Sequence, residues 1–334
     1  MVPKNNVTLC NETTRPAKRN HYNPCFWAAL WNDEYYDRIA KNLAQSLPPR
    51  EHEVYALNVR SGQIHKTKVD NVHYDKNLGV AEISRKTAEE FARRYHPSRY
   101  ENFALANKNA TYPVFIDFEQ ILTELEKLPP YKVLLQVIQQ NRIKSAEEKA
   151  YLGCFIVLQN LRSHAIMNAM IQSHEELQEH KFEHFVTLKW MIGDTKFLFS
   201  LVYPIVARQW TLFAVGANLF PLCDSPILVK PHSIMVALSP RLLLEIDRTI
   251  PAREDEYRLR QTIKQGKLEE FRRRTIGNTF REIIGSEELL KSWKSTREFS
   301  ERVIMMRDFK CYNRLVQNEG DRELWQINAY GNRG

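Results

Sequence analysis

The sequence predicts an α+β fold that is predominantly helical, with an N-terminal hairpin and a second small β-rich patch packed on a helical bundle. Three observations carry this. Two β-rich runs flank Arg60-Ser61-Gly62, where glycine permits the positive φ of a tight turn. Apolar residues between Ser84 and Tyr203 recur at helical spacing. A second apolar, β-rich stretch runs from Trp210 to Leu238. Helical and extended segments do not alternate regularly, which favours α+β over a doubly wound sheet.

In chain order, His21 to Asp33 is rich in aromatic residues, and Glu34 to Ser46 reads as a helix stopped by the Pro48-Pro49 pair. Val54 to Val59 and Gln63 to Val69 form the arms of the hairpin, and further strands are expected near Val72 to Tyr74 and Val80 to Ile83. Breaks near Pro97, Pro113 and Pro129-Pro130 divide the helical middle. Ser145-Ala146-Glu147-Glu148 reads as a helix start, since a serine oxygen accepts free first-turn amides and acids favour the dipole there. The helix that follows carries Leu152, Phe155, Ile156, Gln159, Arg162 and Ile166 on one face. Thr211 to Val215 and Ile234 to Leu238 read as buried strands around a proline-bearing turn at Leu222 to Pro226. After Pro240 the chain is expected to be helical again, with a basic stretch from Arg258 through Lys264 and Lys267 to Arg272-Arg273-Arg274.

Composition narrows the class. The 334 residues are 43% hydrophobic and 26% charged, near globular averages. No window approaches the run of about 18 apolar residues that spans a bilayer, so no membrane association is expected. Met1 to Asn20 lacks the apolar stretch of a secretory signal, which points to the cytoplasm. The five cysteines are scattered singly without a Cys-x-x-Cys pair, as in a reducing compartment. A net charge of +8 favours phosphate-rich partners, so nucleic acid or a nucleotide is the expected partner class.

His21-Tyr22-Asn23-Pro24-Cys25-Phe26-Trp27 resembles the opening His-Tyr-x-Pro-x-aromatic signature of the bacterial and archaeal domain-of-unknown-function 4238 family. The hairpin, the segment Gln159-Asn160-Leu161-Arg162-Ser163, the turns Asp224-Ser225-Pro226 and Leu238-Ser239-Pro240, and Tyr312-Asn313-Arg314 are similar to its later motifs. Ser225 stands where the family's turn has asparagine. The resemblance implies one domain over residues 18–325, after a flexible segment 1–17 and before a tail 326–334. It implies no reaction.

His21, Arg162 and Asp224 are the residue types of an acid/base site or an anion clamp. Histidine exchanges protons near neutral pH, or merely pins the N-terminal segment by bonding a carbonyl. Arg162 interrupts an apolar face, so Asp224 or a ligand phosphate is expected to meet it. Asp224 in its turn either serves the site or accepts its own backbone amides. Asn313 completes the catalytic set as a positioning group, or caps a helix. Tyr22, Ser225, Arg258, Lys264, Arg272 and Arg273 are the candidate substrate contacts. Helical pairing with Glu269 and Glu270 accounts for the basic stretch equally well. His174, His180 and His184 lie on a highly charged segment without the HExxH order of zinc proteases, so no metal site is read there.

Two functions are therefore expected. One is a hydrolase acting on nucleic acid or nucleotide, a nuclease or toxin-like effector, with His21 as acid or base, Asp224 as orienter and Arg162 stabilising charge at phosphate. The other is a non-catalytic nucleic-acid-binding or sensing module whose polar residues form a structural network. Geometry separates them, because an enzyme needs these groups around an open cleft and a network leaves them sealed.

Overall fold

In the computed structural model the residues described are 20–75, 80–95, 114–117, 119–163, 195–252 and 257–307. The hairpin forms as its turn chemistry dictates. Strands β2 (Glu53–Asn58) and β3 (Ile64–Lys68) pair antiparallel. Gly62 takes φ +67°, and the Asn58 Oδ1 accepts the Arg60 and Ser61 amides at 2.9 and 3.0 Å.

The fold is α+β. Its chain divides into two compact units. The first comprises Met1–Asn20, Asp75–Glu126 and Met170–Thr195. Within it, strands β5 (Val80–Ile83) and β6 (Val114–Asp117) pair antiparallel, beside helices α3 (Arg85–Tyr95) and α4 (Glu119–Glu126).

The second unit comprises His21–Tyr74, Lys127–Ala169 and Lys196–Gly334. Helices α1 (Cys25–Ala28) and α2 (Asp33–Ala40) open it. The two-residue strands β1 (Asn20–His21) and β4 (Tyr74–Asp75) pair. Helix α2 is shorter than the Glu34 to Ser46 expected from sequence. Asn42 takes a left-handed φ of 54°, and the Leu43 amide reaches back to the Arg38 carbonyl at 2.8 Å, which closes the last turn.

Helices α5 (Pro129–Gln140) and α6 (Ala146–Arg162) follow, then α7 (Thr195–Val206). The Ser145 hydroxyl accepts the Glu148 amide at 3.1 Å, as its capping pattern requires. Phe155 on α6 meets Trp27 and Tyr131 edge-on at 5.0 and 5.3 Å, which forms the aromatic centre of the core. Gly153 lets α6 approach α7: an added Cβ would lie 2.8 Å from Val206 Cγ2 and 2.9 Å from Val202 Cγ1. Gly153→Ala is therefore expected to destabilise by about 1–3 kcal/mol, although alanine otherwise favours helix. A lowered urea midpoint checks this.

The larger sheet has the order β12-β7-β11-β10-β9. Its strands are β7 (Arg208–Ala214), β9 (Leu228–Lys230), β10 (Ser233–Ser239), β11 (Leu242–Pro251) and β12 (Tyr257–Arg260). The helix expected after Pro240 is instead β11, the central strand, and β12. Helix resumes only at α8 (Gln265–Asn278). Strand alternation sends Trp210 to one face, under α6, where Lys149 Nζ lies 5.5 Å from its ring centroid. The other face is covered by α8, through Lys267 to Glu245 at 2.7 Å and Arg274 to Ser233 Oγ at 2.8 Å.

The smaller sheet has the order β3-β2-β13-β8, with β8 (Leu222–Cys223) and β13 (Glu282–Gly285). Helices α9 (Glu287–Lys294) and α10 (Arg297–Arg307) end the described chain.

Candidate functional site

Four segments meet around residues 21–23. The Arg162 guanidinium, 4% exposed at the end of α6, donates from Nε and Nη2 to the His21 carbonyl at 3.1 and 2.9 Å. One turn earlier Gln159 donates from Nε2 to the Tyr22 carbonyl at 2.8 Å and to Asn23 Oδ1 at 2.9 Å. Asn23 in turn donates to the Cys223 carbonyl at 2.9 Å and lies 2.9 Å from His73 Nδ1. Because an amide NH2 only donates, His73 Nδ1 is the acceptor, and its Nε2 carries the hydrogen given to the Glu282 carbonyl at 3.1 Å. His73 is held at φ +51°, and its carbonyl accepts the Tyr22 amide at 2.7 Å.

This network joins α6, the 69–74 segment, β8 and β13 through three side chains, Asn23, His73 and Gln159, each fully or almost fully buried. Gln159 Oε1 is buried with no hydrogen-bond partner among the described residues.

Asp224 lies where β8 gives way to its turn, at 0% exposure. Its two oxygens accept the amides of Phe280 at 3.0 Å and Arg281 at 2.6 Å, the link between α8 and β13. Burial pushes its carboxyl up to about 7, against the pull of these two amides and of Arg302. Arg302 donates to the Thr279 carbonyl, which fixes the same link from α10. Burial likewise pushes the Cys223 thiol far up, which disfavours its thiolate form.

The structure thus brings His21 and Arg162 together, but through the histidine's backbone carbonyl. Asp224 bonds to neither. It is tied to them through Asn23 and the Cys223 carbonyl. The His21 ring has a separate environment: Nδ1 is 3.1 Å from the Val72 carbonyl, and Nε2 is 3.6 Å from Asp70 Oδ1. Its side chain is 11% exposed and that of Asp70 33%.

Of the expected substrate contacts, Tyr22 and Ser225 lie inside the protein at 0% and 1% exposure. Arg258, Lys264 and Arg273 are exposed. Arg272 is paired with Glu298 at 3.5 Å. Its neighbours Lys267 and Arg274 on α8 share Glu270, so much of that helix's positive charge is met within the fold. Asn313, His174, His180 and His184 lie outside the described residues. Among the described residues no group of three or more His, Cys, Asp or Glu side chains is placed to hold a metal ion, and no helix is long and apolar enough to cross a membrane.

Sequence reasoning passed over Asn23, His73, Glu282 and Arg302. Asn23 stands inside the quoted opening motif, and its neighbour Pro24, which starts α1, was the available signal. Glu282 is partly buried at the start of β13, with His65 Nε2 3.8 Å away, and desolvation raises its carboxyl. No family model, curated protein or solved structure matches this chain.

Proposed function

We propose that the chain is a non-catalytic module that binds nucleic acid or a nucleotide, and that its buried polar residues form a structural network. The single observation that carries this is the state of Asp224. A catalytic carboxylate needs a free oxygen facing substrate. Here both oxygens are occupied by backbone amides in a fully buried place. Arg162, expected to meet charge at phosphate, turns its Nε and Nη2 to a carbonyl of its own chain. The partner class rests on the net charge of +8 and on the exposed Arg258, Lys264 and Arg273. Likeness to the domain-of-unknown-function 4238 family is part of the same proposal and rests on the sequence motifs alone.

The test is incubation of the purified chain with labelled RNA, single- and double-stranded DNA and nucleotides, with and without divalent metal, beside His21→Ala. Salt-dependent binding without turnover is expected in both proteins. Turnover by the wild type that is lost in His21→Ala would establish the hydrolase instead, and absence of binding to every probe would remove the partner class.

A further inference from the structure

The larger sheet ends in a strand whose outer edge is open. In the order β12-β7-β11-β10-β9, β12 pairs with β7 alone, parallel, from Tyr257 opposite Trp210 to Arg260 opposite Phe213. Alternate residues of an edge strand aim their amide and carbonyl away from the sheet. Among the described residues no strand takes them. Arg258, Leu259 and Arg260 are all exposed, Leu259 at 45%.

Register fixes what this edge displays. Arg258 lies in one row with Thr211 and Glu245, and Glu245 Oε1 accepts from Lys267 of α8 at 2.7 Å. Arg258 and Arg260 therefore stand on the α8 side of the sheet. Tyr257 and Leu259 stand on the opposite side, where the Tyr257 hydroxyl accepts the Ile143 amide at 3.1 Å and holds the start of the strand. The two arginines are roughly 6.6 Å apart along the strand, with the leucine between them turned the other way.

Neither arginine has an acid. Their neighbours on β7 are Thr211 and Phe213, and the next carboxylate in the row, Glu245, is held by Lys267. Neither guanidinium bonds a group among the described residues. The other sheet edges differ. Strands β9 and β8 have three and two residues, and on β3 the lysines are matched, Lys66 by Glu53 at 2.8 Å and Lys68 by Glu51 at 2.6 Å.

An open row of amides and carbonyls takes a peptide backbone, whereas a nucleic-acid backbone offers acceptors without alternating donors. An added strand sets one residue directly opposite each arginine, with Cβ atoms about 5 Å apart, within reach of a carboxylate–guanidinium pair. A second copy of this chain does not fit. Antiparallel pairing of β12 with itself sets arginine opposite arginine, and like charges so placed destabilise.

We propose that β12 is a docking edge for an acidic segment of a partner protein, which joins the sheet as a further strand with the pattern acid-apolar-acid. The acids meet Arg258 and Arg260, and the apolar residue covers Leu259 on the other side. This docking edge goes beyond the nucleic-acid reading and does not rest on it. Arg258 is shared by the two, so the test carries an oligonucleotide arm.

The test is fluorescence anisotropy with the full chain, Arg258→Gln, Arg260→Gln and the exposed control Lys294→Gln on α9. The probes are a labelled peptide of alternating Glu and Val, a peptide of the same composition with the Glu residues in one block, and a labelled single-stranded oligonucleotide. Two further versions of the alternating peptide are N-methylated, one at the Glu amides and one at the Val amides. Neither Arg258 nor Arg260 bonds anything in the described fold, so R258Q and R260Q keep the structure, which their Tm checks.

The alternating peptide is expected to bind, roughly tenfold more weakly in R258Q and in R260Q, and unchanged in K294Q. The block peptide is expected to bind roughly tenfold more weakly to the wild type. Residues two apart on a strand send their amides to the same edge, so methylation of one set abolishes binding and methylation of the other does not. No binding of the alternating peptide, equal binding of the block peptide, equal binding by all four proteins, or the same effect of both methylations overturns the docking edge. Oligonucleotide binding that depends on the two arginines, with the peptide unbound, overturns it in favour of the nucleic-acid reading.

Discussion

Asn23→Ala is expected to lower the free energy of unfolding by about 3 kcal/mol or more, because it strips partners from several buried groups at once. The substitution removes the donor to the Cys223 carbonyl, the donor facing His73 Nδ1 and the acceptor for Gln159. Gln159 Nε2 would then keep only the Tyr22 carbonyl for its two N–H groups, beside an Oε1 that has no partner among the described residues. The near-isosteric Asn23→Asp is expected to be at least as damaging at neutral pH. It places carboxylate oxygens against a carbonyl and a ring-nitrogen lone pair. Urea denaturation of the three proteins checks both, and a change of less than about 1 kcal/mol in Asn23→Ala would mean that the network does not hold the segment.

Asp224→Asn is expected to change how stability depends on pH. The wild-type carboxyl is pushed up to about 7 from an ordinary value of 3.8, so the folded state binds a proton that the unfolded chain has released. A raised value means that the full contribution is present below the unfolded value and is lost as pH rises through the folded one. Stability should therefore fall between about pH 4 and pH 7, with a total effect of about 4 kcal/mol for a shift of this size. Glu282, raised by burial in the same region, acts in the same direction. Asp224→Asn removes the largest part of that slope. It also turns an amide NH2 toward one backbone N–H, so it lowers stability at acidic pH, where the wild type is best. The check is the Tm of both proteins across this range. A parallel decline in the variant would show that Asp224 does not carry the titration.

The parts of the fold legible in the sequence were those decided locally. Gly62 and Asn58 fix a turn within a few residues, and Ser145 caps the very next helix, so neither depends on the rest of the chain. Strand β11 was not legible. Leu242-Leu243-Leu244 lies in the centre of a sheet covered by α6 on one face and α8 on the other, so both faces are buried and the alternation that marks a strand disappears. Leucine also favours helix when taken alone, and tertiary pairing with β7 and β10 overrides that preference.

The candidate site divides in the same way. His21, Arg162 and Asp224 stood out as polar groups amid apolar or turn sequence, and all three prove to be buried or nearly so. Their partners were not legible. Asn23 meets His73 and Cys223 at sequence separations of 50 and 200 residues, and neutral amides leave no charge pattern to follow. Nor does composition distinguish an arginine waiting for a carboxylate from one bonded to a carbonyl.

Asp224 and the groups bonded to it are closed to solvent. Native-state hydrogen exchange of the Phe280 and Arg281 amides, resolved by NMR, tests it most directly. Both are expected to exchange only through global unfolding, with the same free energy as the β7, β10 and β11 amides. Exchange through a low-energy local opening, at rates like those of the exposed Arg60 and Ser61 amides, would contradict the account and restore an accessible catalytic carboxylate.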